Sequence, residues 1–348
     1  MDALGAALAV TALVAGLTGP PAGNQTVLLT PANSYPGAVS PDGRYVVFES
    51  GAALVPDDTN NAYDVFVRDR RTGTTSLVSV ATTAGSGSGT ISADARYVAF
   101  WSRDFGVSVR DRRTGTTRDI DADGFEPAIS ANGRYVVFSG PSAGPFDMIR
   151  YDLATGATDR IPTGLLPDPI DGNGPQPHVS ADGQIVAYTG AEGVVTAHNF
   201  RTGTTRTFGT GRAGAISGDG RTVVWSDGSN VYANNRLVSV AVGGGPGDGP
   251  SYGWMTASHD GRLIGFGSVA TNLVPADTNG YLDVFVRDMR THRTIRASES
   301  RTGGNANGES LAPVISADGR VLVFASFAGN ITETGLGGDQ WLYARTLR

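Results

Sequence analysis

Three features of the 348-residue chain predict an all-β fold of seven four-stranded antiparallel blades closed into a ring, a β-propeller. A phrase of the form Ser-x-Asp-Gly-Arg, or one differing from it at a single residue, followed by an apolar run recurs seven times. Each copy but the last is followed by two further strand-like segments joined by a tight turn. One spare strand-like segment near the N-terminus matches the one strand that the last repeat lacks. Repeats of forty to fifty residues with four strands each are the signature of this architecture.

The first copy reads Ser40-Pro41-Asp42-Gly43-Arg44-Tyr45-Val46-Val47-Phe48. Strand a ends at the Ser, and strand b is the β-branched and aromatic run. Asp-Gly between apolar runs predicts a two-residue type I′ hairpin turn with positive φ at its centre. The other copies begin at Ser92, Ser130, Ser180, Ser217, Ser258 and Ser316, giving spacings of 52, 38, 50, 37, 41 and 58 residues. Strand c follows a variable loop, as in Asp64-Val65-Phe66-Val67-Arg68-Asp69 and Asp283-Val284-Phe285-Val286-Arg287-Asp288. A Thr-Gly turn, such as Thr72-Gly73 or Thr114-Gly115, leads to strand d. The seventh unit ends after its strand c, Trp341-Leu342-Tyr343-Ala344-Arg345. Residues 26–30 (Thr-Val-Leu-Leu-Thr) then supply the outer strand that closes the ring and covers an open edge.

Composition narrows the function. The 49 Gly and 18 Pro suit many short strands joined by tight turns. A net charge of -6 argues against a nucleic-acid partner. The absence of Cys excludes disulfides, thiolate metal sites and a Cys nucleophile. Residues 3–17 are small and apolar, too short for a membrane span and suited to a secretory signal, although Asp2 stands where a basic residue is expected. The expectation is a signal over 1–24 and one propeller domain over 25–348. The mature protein is then secreted or held in the periplasm or cell envelope, monomeric and without a membrane span.

Ser-Ala-Asp-Gly-Arg followed by an apolar strand, with Asp-Val-Phe-Val-Arg-Asp and Thr-Gly after it, resembles the TolB-like (WD-related) β-propeller repeat of bacterial exported proteins. The resemblance covers residues 25–348. It implies a free-standing propeller, without the N-terminal α/β domain of the TolB proteins or the catalytic domain of prolyl-oligopeptidase-type hydrolases. Propellers host binding, scaffolding and enzymatic roles alike, so function has to be argued from sites.

In this topology the uniform a–b and c–d turns make a plain face, and the variable b–c and d–a connections make a loop face. Binding residues concentrate on loops carried by a rigid scaffold. Two loops match without a gap, 54–64 and 273–283, sharing Asp-Thr-Asn-x-x-x-Asp. Oxygen donors Asp58, Asn60 and Asp64, and likewise Asp277, Asn279 and Asp283, suit calcium. Their other reading is Asx-turns and caps. His178 lies two residues before a repeat Ser, where the other blades carry Ala38, Thr90, Ala128, Ala215, Thr256 and Val314. It is the candidate for a channel metal ligand or base. Gly140-Pro141-Ser142-Ala143-Gly144 and Gly249-Pro250-Ser251-Tyr252-Gly253 satisfy G-x-S-x-G, but neither precedes a helical segment, as a nucleophile elbow requires. The leading expectation is an exported, non-enzymatic binding or scaffold propeller that engages a protein or cell-envelope glycan through its loop face. The alternative is a lyase, lactonase or glycan hydrolase with a central channel site.

Overall fold

The computed structural model describes residues 26–30, 33–80, 83–141, 146–165, 176–333 and 338–347. The expected signal over 1–24, and Ser142 to Gly144 of the first G-x-S-x-G, lie outside the described residues. Seven four-stranded antiparallel sheets follow one another along the chain. Blade 1 is Ser34–Val39, Tyr45–Ser50, Asp64–Asp69 and Thr74–Leu77, strands a to d from first to last. Blade 6 repeats it as Ser251–Ala257, Leu263–Ser268, Asp283–Asp288 and Arg293–Arg296. Blade 7 takes strands a to c from Ser310–Ile315, Val321–Ser326 and Trp341–Thr346, and its fourth strand is Thr26–Thr30. That strand pairs Thr26 with Arg345 and Leu28 with Tyr343, so the ring closes as the sequence expects.

The repeat phrase builds a self-contained turn. Ser40 Oγ donates to Asp42 Oδ1 at 2.7 Å, and that oxygen also accepts the Arg44 amide. The Tyr45 amide donates back to Ser40 Oγ. The turn itself differs from the expected type I′ hairpin. Gly43 N donates to Ser40 O, and Gly43, at φ 72, is the position of the phrase that carries positive φ. The loop is therefore a Ser-x-Asp-Gly turn followed by one left-handed residue. An Asp-Gly pair serves either arrangement, because both need Gly only at the second position. Blade 2 shows the constraint, since Ala95 must adopt φ 56 there.

These turns also tie the blades together. The amides of Ala93, Asn132, Ala181, Asp219, His259 and Asp318 each donate to a carbonyl in the next blade's turn. These donors are the second or the third residue of the phrase; in blade 1 the second is Pro41, which has no N–H. Arg44 grips Asp69 with Nε and Nη2, and Arg96 with Asp111, Arg134 with Asp152 and Arg262 with Asp288 repeat the pair. Within a blade Phe48 stacks on its cross-strand partner Phe66 and Phe266 on Phe285, and between blades such pairs pack on the next sheet, as Phe48 and Phe66 do with Val321, Val323 and Leu342. The outcome is a stiff disc whose two faces are chemically unlike.

Candidate ligand-binding face

Strand a carries an irregularity near its loop-side end in six blades, seen as register shifts such as Gly87/Thr90 and Phe125/Ala128. In those blades the residue four before the repeat Ser sits at this irregularity: Pro36, Ser88, Glu126, Ala213, Trp254 and Ala312, the same place in blade 4 being Gln176. Ser88, Glu126 and Ala312 adopt positive φ there. A bulge re-aims side chains next to sites. Here it brings neighbouring blades into contact: Ser88 Oγ donates to Glu126 Oε2 at 2.9 Å, and Gln176 Nε2 donates to the same oxygen at 3.1 Å.

Glu49 joins this group from strand b of blade 1. The amide of Ser88 donates to Glu49 Oε1 at 2.5 Å. The equivalent strand-b positions hold Trp101, Ser139, Thr189, Ser226, Gly267 and Ala325, so Glu49 is the one acid in its column. Burial pushes its carboxyl up to about 7; the Ser88 amide opposes this and the charge of Glu126 adds to it. Blades 1 to 4 thus contribute a hydroxyl, an amide and two carboxyl groups, one of which titrates near neutrality.

His178 lies elsewhere. Its Nε2 is 3.3 Å from Ala213 O in strand a of blade 5, and burial pushes the imidazole down to about 4. Thr90 and Thr256, two residues before their own Ser, likewise reach the next blade, meeting the Ile129 and Ile315 amides. That column bridges blades sideways, and a neutral imidazole bonded to a carbonyl does the same there. Ser251 of the second G-x-S-x-G is buried at the start of a strand, sharing a hydrogen bond with Ser268.

The two acidic loops diverge. In blade 6 the Arg296 guanidinium contacts Asp277 at 2.8 Å and Asp283 at 3.6 Å, and Asn279 Nδ2 donates to Asp283 at 2.9 Å. In blade 1 Asn60 Oδ1 accepts the Ala62 amide, an Asx-turn, and Asp58 and Asp64 are both buried. Among the described residues no three His, Asp or Glu side chains converge as a metal cluster. A cleft of about 350 Å³ lies at the outer edge between blades 5 and 6, lined by Val242, Arg287, His292 and Arg293, away from the carboxylates.

The exposed large apolar side chains among the described residues are Tyr35, Tyr63, Val80, Phe105, Val242, Tyr252, Trp254, Tyr281 and Phe327. All belong to b–c or d–a connections or to the loop-side ends of strands. Trp254, at the strand irregularity of blade 6, is 55% exposed. Tyr35 and Tyr63 lie with ring centroids 6.4 Å apart.

Comparisons with known proteins agree on architecture. No family model and no curated protein matches the chain. Among solved structures it is similar to the oligogalacturonate lyase of Vibrio parahaemolyticus, at 13% identity and a TM-score of 0.61, with 93% of each chain covered. It is also similar to an oligogalacturonate lyase in complex with manganese, at 15% identity and a TM-score of 0.58 over 94% of each chain. The Cps50 (Swd1) β-propeller domain of Myceliophteria thermophila matches at 11% identity and a TM-score of 0.57, with 93% of this chain and 99% of that one covered. Identities this low bear on fold alone. The chain folds as a seven-bladed β-propeller with four antiparallel strands to a blade.

Proposed function

We propose that this protein is an exported, non-enzymatic binding propeller that takes a hydroxyl-rich ligand, a cell-envelope glycan, on its loop face. One observation carries the reading: every exposed large apolar side chain among the described residues is on that face. Tyr and Trp supply flat contact area with one polar edge, and clustered exposure of this kind marks interaction surfaces. Glu49, Glu126 and Gln176 add the acceptors and amide that sugar hydroxyls pair with. Direct titration of the full chain with labelled, solubilised envelope polysaccharide tests it. Binding by the wild type should weaken by about 30-fold or more in a Tyr63→Ala, Trp254→Ala double variant, the effect of losing a central aromatic anchor. No binding by the wild type, or equal binding by the variant, contradicts the glycan reading. A protein captured by the wild type and lost with the double variant would keep the face and change the ligand class.

A second reading has its own observation. Glu49, raised to about 7 beside Ser88 and Glu126, is suited to exchanging a proton at neutral pH. On that reading Glu49→Gln abolishes turnover of the polysaccharide while leaving its binding in place. Absence of turnover by the wild type leaves binding as the function.

A further inference from the structure

The b–c loops of blades 1 and 6 share one frame and treat their acids differently. Asp64 and Asp283 open equivalent strands, and each accepts a 2.5 Å hydrogen bond on Oδ1 from the matching Ser79 or Ser298 hydroxyl. Phe66 pairs with Leu77 and Phe285 with Arg296, so Leu77 and Arg296 occupy the same place in their blades. Arg296 is 8% exposed, and its guanidinium also donates to Asn305 Oδ1 at 2.7 Å. It neutralises one of the two charges carried by Asp277 and Asp283. Leu77 instead packs into the apolar cluster of Phe48 and Phe66 with Leu54 and Val55.

Blade 1 therefore keeps the acid pair without the guanidinium. Asp58 is 8% exposed, and its Oδ2 is buried and accepts no hydrogen bond. Burial and then the charge of Asp64 push its carboxyl up. A buried carboxylate oxygen without a hydrogen bond, beside the charge of a second carboxylate, is stabilised by a cation or a proton. Blade 6 shows that the frame accommodates a cation.

We propose that blade 1 binds one hard divalent cation, calcium, between Asp58 and Asp64, at the position the Arg296 guanidinium fills in blade 6. The side-chain donors are all oxygen, with no imidazole or thiolate, which selects calcium or magnesium over transition metals. Two carboxylates fall short of a full shell, so backbone carbonyls and water complete it, an irregular geometry that calcium accepts and magnesium resists. Asn60, engaged through Oδ1 with the Ala62 amide, shapes the loop. A site with so few charged ligands belongs to the weak class, with Kd of about 10⁻⁴–10⁻³ M. The ion would stiffen the loop that presents Tyr63, whatever ligand the face takes.

Calorimetric titration of chelator-treated full chain with calcium chloride reads the site. The expected result is about one ion per chain at that affinity, with a rise in melting temperature of a few degrees in millimolar calcium. Asp58→Asn should lose both responses. Leu77→Arg, which installs the blade 6 solution, should lose them as well and melt higher than the wild type in chelator. If Leu77→Arg fails to fold, Asp58→Asn alone decides. Absence of calcium binding by the wild type would overturn the proposal in favour of a shared proton. Wild-type binding by either folded variant would overturn the location.

Discussion

The plain face and the loop face grow from the same repeat, and among the described residues acids are pushed upward on the loop face alone. Every resolved carboxyl shift on the plain face is downward: Asp42, Asp69, Asp94, Asp111, Asp152, Asp260 and Asp288. Asp69 and Asp111 fall to about 2, chiefly through the hydrogen bonds from Arg44 and Arg96. The four upward shifts, at Glu49, Asp58, Asp277 and Asp283, all lie on the loop face, and burial leads each of them. The plain face satisfies its polar groups within the chain. The loop face does the same at Asp104, Asp227 and Asp248, whose carboxyls fall, but it also holds acids raised by burial beside exposed aromatic rings. A surface of the first kind builds a ring, and one of the second kind suits a ligand.

The faces should separate under mutation, with the largest effect on binding. Removing Tyr63 and Trp254 together should cost about 2–4 kcal/mol of ligand affinity. Both rings are substantially exposed, so the melting temperature should hold to within about 0.5 kcal/mol of stability. Asp288→Ala should do the reverse. It strips Arg262 of its partner and the Arg290 and Thr291 amides of their acceptor, at about 1–3 kcal/mol of stability by denaturant titration, with affinity unchanged.

The pH response is smaller and has two signs. Between its usual 4.5 and about 7, Glu49 binds more proton in the folded protein than in the unfolded chain. Folding stability therefore falls as pH rises through that window, by about 1–2 kcal/mol in all given partial exposure, and Glu49→Gln should remove the fall. Asp69 acts oppositely: its contribution is present above 3.8 and is lost as pH falls toward about 2. Smallest of all is Pro41→Ala. It restores an N–H at the blade 1 to blade 2 junction but frees a preset turn, so stability should move by less than about 0.5 kcal/mol.

Much of the ring was legible because the repeat is local. Seven repeat turns, five of them Ser-x-Asp-Gly, count the blades, and the missing last strand assigns residues 26–30 to closure. The turn type was not legible, since Gly43 in a left-handed conformation fits two hairpins. The site was harder to read for a similar reason. Strand alternation directs attention two residues before each Ser, to His178, but the strand irregularity makes the fourth residue before it the varied column. Pro36, Ser88, Glu126, Gln176, Ala213, Trp254 and Ala312 stand out in sequence once that column is aligned. The matched acidic loops were visible as a pair. Arg296, nineteen residues beyond Asp277 and on another strand, belongs to one of them only through the fold.

Hydrogen exchange of the full chain with and without solubilised envelope polysaccharide tests the central claim most directly. The expected result is slowed exchange confined to loop-side segments, above all 51–63 and 251–257, with the seven repeat turns unchanged. Protection centred on those turns, or an exchange pattern that ligand leaves untouched, would contradict it.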